Sequence, residues 1–261
     1  GNQGDIARLP TEKPEEPMIE TLLRSDLAPT GKLRVGINYG NPVLATRDGF
    51  SGELRGVAVD LTRELGTRTG LPVELVPFES AGKMFDAVKA GAWDVAFLAI
   101  DPGRADQISF TAPYIEIEGT YLVPPGSPLR AIADIDRAGV RVGVSANSAY
   151  DLFLSRSIQH AQLVRAPTPD AAFELILVGK VDVIAGVRQH LVANAGKLPG
   201  ARVLEGRFMA IEQALGIPKG RDAGAKYLRE FIEDVKASGL VARAIEKAGV
   251  RGVTVPPKAM V

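Results

Sequence analysis

Short apolar runs alternate with longer amphipathic stretches in the first part of the chain. The segments "KLRVGI" (32–37), "PVELVPF" (72–78) and "WDVAFLAI" (93–100) favour strands, because they are short, apolar and rich in β-branched or aromatic side chains. Between them, residues 57–70 and 80–91 place apolar side chains at helical spacing, each stretch ends at a glycine, and Ser80 suits the N-cap of the second helix. This order predicts a parallel sheet covered by helices.

The same succession of elements returns later in the chain. The strand "LRVGI" recurs as "VRVGV" at 140–144, and "FDAVKAGAWDVAFLA" (85–99) recurs as "FELILVGKVDVIAG" (173–186). In both copies an aspartate, Asp94 or Asp182, follows the helix-ending glycine and precedes an apolar strand. Although any α/β protein repeats such phrases, the shared order of the parts predicts two lobes of similar construction.

The ends of the chain have different patterns. Residues 1–16 are rich in proline and charge and are expected to be loosely ordered, whereas residues 17–29 predict one short helix. Residues 222–238 and 239–249 predict amphipathic helices that return to the first lobe and cover its sheet.

Composition excludes several functional classes. Basic and acidic side chains number 31 each, so the formal net charge is 0 and no strong field draws the chain to nucleic acid or an anionic membrane. Cysteine is absent, which excludes disulfides and thiolate sites. The histidines, His160 and His190, lack the spacing of a metal-binding pair and are interpreted as solvent-facing or hydrogen-bonded structural residues. We therefore expect no metal, no cofactor and no nucleic-acid partner.

Targeting signals are also absent from the sequence pattern. No apolar run approaches the ~18 residues of a membrane span, so we expect no membrane insertion. The opening "GNQGDIARLPTEKPEEP" lacks the charged and apolar regions of a signal peptide. The protein is then either cytosolic or one whose leader has been removed.

The stretch "IDPGRADQISFTAPY" (100–114) contains one arginine, Arg104, just beyond an apolar strand. Asp101 followed by Pro102 suits the start of a helical turn, with Arg104 beside its free amides. A guanidinium at that position, at the carboxyl end of a strand, suits a ligand carboxylate. The alternative is a surface ion pair of Arg104 with Asp101 or Asp106.

Three longer segments carry a family resemblance: "LRVGINYG", "GELRGVAVDLTRELGTRTG" and "FDAVKAGAWDVAFLAIDPGRADQISFTAPY". In order and spacing they resemble the polar amino-acid type of periplasmic substrate-binding proteins of ABC transporters, family 3, over nearly all of residues 31–250. The positions that fit the family pattern are Gly56, Asp60, Asp94, Arg104, Phe110, Thr111, Pro113 and Tyr114.

The resemblance implies an α/β fold of the type II periplasmic-binding kind. Two lobes, each a mixed and mainly parallel sheet covered by helices, are joined by two crossover strands and close on a ligand. Lobe 1 comprises residues 31–117 and 213–261, lobe 2 comprises residues 118–212, and residues 1–30 form an N-terminal extension with the short helix.

The resemblance also implies a binding site between the lobes. Arg104 aligns with the family's carboxylate-binding arginine, and "VSANSAYD" (144–151) with its lobe 2 loop of donors. Ser148 and Asp151 favour a capping box there independently of the family. Aromatic walls are expected from Tyr39, Phe97 and Tyr150, with core packing as the alternative for Phe97. The predicted ligand-binding residues are Arg104, Asn38, Tyr39, Phe97, Leu98, Ala99, Asn147, Ser148, Ala149, Tyr150, Val187 and Arg188.

Departures from the family pattern bear on the ligand. Phe97 and Ala99 replace hydroxyl residues, so the pocket is less polar than usual. Val187 and Asn38 stand where acidic residues bind the ligand's ammonium group, and a bare ammonium would then lack a counter-charge. We expect a carboxylate without a free amine, with a second acidic group for Arg188. The alternative for Arg188 is a solvent-exposed side chain.

We therefore expect an exported, monomeric solute-binding protein of the periplasm, which delivers a small organic acid to an ABC transporter permease and is not an enzyme. One alternative is a dehydratase-like enzyme using Glu116, Glu118 or Glu212 as acid or base. Another is a sensory ligand-binding module. A hydrolase is disfavoured because "GVSAN" (143–147) lacks the closing glycine of a nucleophile elbow.

Overall fold

A computed structural model describes residues 20–260; the expectation for residues 1–16 lies outside that range. The helices are α1 (Thr21–Leu27), α2 (Val57–Thr69), α3 (Ala81–Asp86), α4 (Ala149–Ser157), α5 (Pro169–Leu177), α6 (Arg188–Ala195), α7 (Asp222–Ala237) and α8 (Leu240–Lys247). The strands are β1 (Leu33–Asn38), β2 (Thr46–Arg47), β3 (Leu54–Arg55), β4 (Val73–Phe78), β5 (Val95–Ala99), β6 (Ile108–Phe110), β7 (Ile115–Val123), β8 (Arg141–Ser145), β9 (Gln162–Ala166), β10 (Val183–Val187), β11 (Arg202–Val203) and β12 (Met209–Pro218).

Ten of the strands form one continuous sheet, in which the path β4-β1-β5-β12-β7-β10-β8-β9 has β6 and β11 at its sides. β1 is parallel to β4 and β5, and β8 is parallel to β9 and β10. We call the part built on β4, β1 and β5 lobe 1, and the part built on β10, β8 and β9 lobe 2. The predicted two-lobed α/β fold is confirmed.

The lobes are joined by the crossover strands β7 and β12. These strands pair antiparallel to each other from Ile115↔Gln213 to Gly119↔Met209, while β12 also pairs with β5 and β7 also pairs with β10. The predicted lobe boundaries at 117/118 and 212/213 fall inside these two strands. The connection between the lobes is therefore a two-stranded, hydrogen-bonded ribbon.

The aspartate that repeats in the sequence plays the same part in both lobes. Asp94 accepts hydrogen bonds from the backbone N–H of Arg34 (3.1 Å) and from its guanidinium (3.0 and 3.1 Å). Asp182 accepts the equivalent bonds from Arg141 (2.8, 3.2 and 3.1 Å), and the Arg141 guanidinium holds the pKa of Asp182 below its ordinary value. Each aspartate therefore ties the chain entering one strand to the neighbouring strand of its lobe.

The short N-terminal helix packs on lobe 1. Leu27 of α1 is fully buried in the main core, and Asp26 accepts a hydrogen bond from the N–H of Gly224 at the start of α7 (2.9 Å). The residues assigned to an N-terminal extension therefore contribute to the packing of lobe 1.

Two local predictions had different outcomes. Ser80 caps α3 as predicted, because its hydroxyl accepts from the N–H of Lys83 (3.1 Å). The helical turn expected at Asp101 does not open a regular helix: residues 102–107 form successive turns, the first closed by the N–H of Arg104, which donates to the carbonyl of Asp101 (2.9 Å). The Asp101 carboxylate accepts from the N–H of Gly103 (2.7 Å), and this local bond competes with a regular helix.

Candidate functional site

A cavity lies between the lobes at the carboxyl ends of β1, β5, β8 and β10, which supply Asn38, Ala99, Ser145 and Val187 to its wall. This is the edge at which α/β sheets commonly bind ligands. The volume open to the centres of water molecules is about 30 Å³. Since a single water needs roughly 10–15 Å³ on that measure, the cavity suits a compact molecule.

Arg104 lies in the wall of this cavity with its side chain fully buried. Its Nη1 donates to the carbonyl of Ala99 (2.9 Å), and its Nη2 donates across the cleft to the carbonyl of Asn147 (2.7 Å). Within residues 20–260 its Nε has no hydrogen-bond partner. Burial lowers the pKa of Arg104 to about 10, and the charge of Asp101 opposes that shift. A buried cation whose Nε–H is unpaired therefore lies in the cavity wall.

The cavity offers no compensating carboxylate. None of the described residues that line it is an aspartate or a glutamate; its ionisable side chains are Arg104, Tyr150 and His190. Burial raises the pKa of Tyr150 to about 12, so this phenol is neutral at physiological pH. The arrangement favours an anionic ligand over a cationic one.

The lobe 2 loop reaches Arg104 through its backbone. Asn147 has a left-handed conformation with φ of 58°, and its N–H donates to the Asp151 carboxylate (2.8 Å). Ser148 caps α4 by accepting from the N–H of Asp151 (3.1 Å). One of the two hydrogen bonds of the predicted capping box is therefore present, from the N–H of Asp151 to Ser148. In place of the other, the Asp151 carboxylate accepts from the N–H of Asn147 and not from that of Ser148.

A second arginine crosses between the lobes in the opposite direction. Arg156 of α4 donates through Nη1 and Nη2 to the two carboxylate oxygens of Asp101 (3.1 and 3.0 Å), and only 4% of the Asp101 side chain is exposed. We call this contact the interlobe ion pair. The alternative expectation from the sequence was a surface ion pair of Arg104 with Asp101 or Asp106. Among the described residues Arg104 forms no such pair, and Asp101 is paired with Arg156 instead.

The backbones of the two lobes also approach closely near this site. A Cβ atom built on Gly82, in the first turn of α3, would lie 2.1 Å from the carbonyl oxygen of Ala146 in lobe 2. Since real Cβ atoms do not approach an oxygen so closely, this arrangement of the lobes requires glycine at residue 82.

Most of the predicted site residues lie at the cavity. Asn147 contacts Arg104 through its carbonyl group, as described above. The predicted residues that line the cavity are Asn38, Ala99, Arg104, Ser148, Ala149, Tyr150 and Val187.

Four predicted residues lie elsewhere. Phe97 packs edge-on against buried Tyr114, with ring centroids 5.9 Å apart. Leu98 belongs to a separate core cluster with Met84 and Trp93. These positions match the core-packing alternative for Phe97, and strand alternation turns Leu98 to the other face of β5.

Tyr39 and Arg188 are the other two. Tyr39 lies in a neighbouring groove under the guanidinium of Arg47, 5.1 Å from its ring centre. Arg188 binds the carboxylate of Glu118 and the carbonyls of Leu204 and Gly206, and it is not among the residues lining the cavity. This placement corrects the expectation that Arg188 meets a second acidic group of the ligand.

More than half of the residues in the cavity wall were not predicted from the sequence. Gln213 and Ile211 come from β12, whose pairing with β5 places Gln213 opposite Ala99 and whose pairing with β7 places Ile211 opposite Ile117. His190, interpreted as structural, also reaches the cavity, with Nε2 2.8 Å from the exposed carboxylate of Asp170. The wall residues not predicted are Gly40, Asn41, Ala81, Ser145, Pro169, His190, Ile211 and Gln213.

The glutamates considered as catalytic acids do not line the cavity. Glu116 pairs with Arg207 (2.7 Å), Glu118 pairs with Arg188, and Glu212 is exposed. Among residues 20–260 no group of three or more histidine, aspartate or glutamate side chains is placed to hold a metal ion. No helix in the described part of the chain has the length and apolar content needed to cross a membrane.

Known proteins resemble this chain over most of its length. The L-cystine-binding protein TcyJ of Escherichia coli (strain K12) is 23% identical over 220 residues, which are 83% of this chain and 82% of that protein. The solute receptor for L-cysteine of Neisseria gonorrhoeae superposes with a TM-score of 0.75 at 22% identity, covering 88% of this chain and 93% of that one.

An ancestral amino-acid-binding protein, AncCDT-1, described as a precursor of cyclohexadienyl dehydratase, superposes with a TM-score of 0.72 at 21% identity. The superposition covers 87% of this chain and 99% of the AncCDT-1 chain. At these identities the structural matches establish the shared two-lobed fold. The profile of one family matches residues 33–250, which include both lobes and every strand of the large sheet. The chain belongs to the bacterial extracellular solute-binding proteins, family 3.

Proposed function

We propose that this solute-binding protein captures a small carboxylate-bearing ligand that has no free ammonium group. The observation that carries the proposal is the buried guanidinium of Arg104 in a cavity whose described wall contains no carboxylate. A ligand carboxylate would accept from Nε and compensate the buried positive charge.

The same electrostatics disfavour a standard amino acid. An α-ammonium group would have to leave water and lie within a few ångströms of its own carboxylate, and thus near Arg104. Its polar neighbours there would be neutral, such as the Gln213 amide and the Ser145 hydroxyl. Burial of a charge without an opposite charge costs several kcal/mol.

L-Amino acids are the rival ligand class. The names of TcyJ and of the gonococcal receptor specify L-cystine and L-cysteine, and neutral oxygens can accept hydrogen bonds from an ammonium group. The two hypotheses share Arg104 as the carboxylate contact and differ in the group next to that carboxylate.

We further propose that the protein acts outside the cytoplasm, in the periplasm, as a monomer that delivers its ligand to an ABC transporter permease. Its family, the bacterial extracellular solute-binding proteins, supports this role. The position of the glutamates away from the cavity favours binding over dehydration chemistry.

The ligand class can be tested directly. Native mass spectrometry of the protein purified without refolding should release a small acid without an amine. In a thermal-shift screen, amine-free carboxylates should raise Tm, since a ligand at ~100 times its Kd adds about 2.7 kcal/mol to the free energy of unfolding. Micromolar binding of a common L-amino acid, with no binding by amine-free acids, would overturn the proposal.

A further inference from the structure

Gln213 occupies a special position on the crossover strand β12. It is 5% exposed, it lines the cavity, and its Oε1 has no hydrogen-bond partner within residues 20–260. Its cross-strand neighbour is Ala99, whose carbonyl accepts from Nη1 of Arg104. Because side chains of a cross-strand pair project on the same face of a sheet, Gln213 and Ala99 face the cavity together, and Arg104 lies in the same wall.

Ser145 presents a second unpaired group from the other lobe. It ends β8, is 1% exposed and lines the same cavity, and its Oγ is without a partner in the described part of the chain. Arg104, Gln213 and Ser145 thus line one small cavity, and each has a buried polar atom without a hydrogen-bond partner among the described residues; the Tyr150 phenol lies beside the Ser145 hydroxyl in the same wall. Leaving such atoms unpaired is unfavourable, so a ligand that pairs with all three gains most from binding.

The three groups differ in the kind of ligand atom with which each can form a hydrogen bond. The Nε–H of Arg104 needs an acceptor and favours a carboxylate, whereas the Gln213 oxygen needs a donor and the Ser145 hydroxyl takes either. A ligand hydroxyl can donate to Gln213 and accept from Ser145 at once. A methylene group does neither, a keto oxygen only accepts, and an ammonium brings an uncompensated charge.

We propose that Gln213 is a specificity-determining residue that selects a hydroxyl group next to the ligand's carboxylate. The ligand class is then the hydroxycarboxylic acids. This inference rests on the proposed function, because it presupposes a carboxylate at Arg104, but it adds a requirement that the proposed function does not make.

Matched series of ligands test the requirement. Each series keeps one carbon skeleton and changes the α-substituent from hydrogen to hydroxyl to ammonium: propionate, lactate and alanine; succinate, malate and aspartate; phenylpropionate, phenyllactate and phenylalanine. In at least one series we expect the hydroxy acid to bind about tenfold more tightly than the deoxy acid by calorimetry, since about 1.4 kcal/mol separates them. Both enantiomers of each chiral acid are measured.

The variant Gln213→Met then identifies the residue responsible. It keeps a side chain of similar length without the amide, and we expect it to reduce the ratio of hydroxy-acid to deoxy-acid affinity to about one. Because the ratio is taken within a single protein, a general loss of binding or stability does not change it. Gln162→Met, on the exposed face of β9, is the control and should leave the ratio at about ten.

The outcomes separate the two proposals. Equal binding of deoxy and hydroxy acids, or a ratio unchanged in Gln213→Met, overturns the role of Gln213 and leaves the proposed function standing. Absence of binding by every amine-free acid in the three series, with binding of an amino acid, overturns both.

Discussion

Two arginines cross the cleft, and their surroundings differ in an informative way. Arg104 reaches from lobe 1 to a backbone carbonyl of lobe 2, is fully buried and has no carboxylate partner among the described residues. Arg156 reaches from lobe 2 to the buried carboxylate of Asp101 in lobe 1, while 48% of its own side chain remains exposed. One guanidinium retains an unpaired donor and the other is matched by a protein carboxylate.

This difference suggests separate roles for the two arginines, Arg104 in ligand binding and Arg156 in lobe closure. A buried cation with no carboxylate in contact is unfavourable by itself, so an anionic ligand gains from its presence. A cation already paired with a protein carboxylate has little left to offer a ligand, but it opposes separation of the lobes. We therefore expect substitution of Arg104 to act on ligand contact, and substitution of Arg156 or Asp101 to act on closure.

The largest effect is expected for Arg104→Met. It removes the charge while keeping a long side chain, and loss of a buried charged contact costs roughly 2–5 kcal/mol, so affinity should fall about 30-fold or more. Calorimetry with the identified ligand measures this change. Arg55→Met, at a side chain 69% exposed, is the matched control and should bind normally; near-normal binding by Arg104→Met would remove this residue from the site.

Arg156→Met is expected to weaken ligand binding by about tenfold. Closure would then bury the Asp101 carboxylate without its partner, which costs roughly 1–3 kcal/mol. Small-angle scattering should show a larger fraction of open molecules at a given ligand concentration. Arg156→Lys keeps the charge and should recover part of the affinity, whereas equal affinities of wild type and Arg156→Met would contradict a role in closure.

Asp101→Asn should have a smaller effect, about threefold on affinity. The residue it leaves unpaired, Arg156, is half exposed and stays hydrated, and an asparagine oxygen can still accept from the N–H of Gly103. In the double variant, Arg156→Met should add little to Asp101→Asn, because the two side chains form one interaction. Fully additive losses in a double-mutant cycle would show that the ion pair is not the coupling.

The smallest effect is expected from salt. The interlobe ion pair is partly exposed, so raising NaCl from about 0.05 to about 0.5 M should screen it and weaken ligand binding by less than about threefold beyond the screening of the ligand's own charge. Arg156→Met lacks that contribution, and its Kd should therefore depend less steeply on salt than that of wild type. Parallel salt profiles for the two proteins would contradict this assignment.

The fold could be predicted from the sequence because its determinants are local. The runs that became β1, β4 and β5 are short and apolar, and the repeated aspartates Asp94 and Asp182 mark equivalent places in the two lobes. Arg104 could be found because it lies within a compact motif that follows β5 directly.

The rest of the site depends on pairings that the sequence does not display. Gln213 reaches the site through the pairing of β12 with β5, and Arg188 is held away from the cavity by Glu118 on β7, which is far from it along the chain. Asp101 was interpreted as a helix cap since its partner, Arg156, belongs to the other lobe. Local pattern therefore identifies Arg104, but not the contacts that distant parts of the chain make around it.

The absence of a side chain at Gly82 has a consequence for protein engineering. Where the lobes meet, a methyl group on this residue would collide with the Ala146 carbonyl oxygen. Alanine or valine there would therefore keep the lobes from closing fully. Such variants leave Arg104, Ser145 and Gln213 unchanged. In these variants the lobes would stay open to different degrees, so the effect of lobe closure could be measured separately from ligand contact.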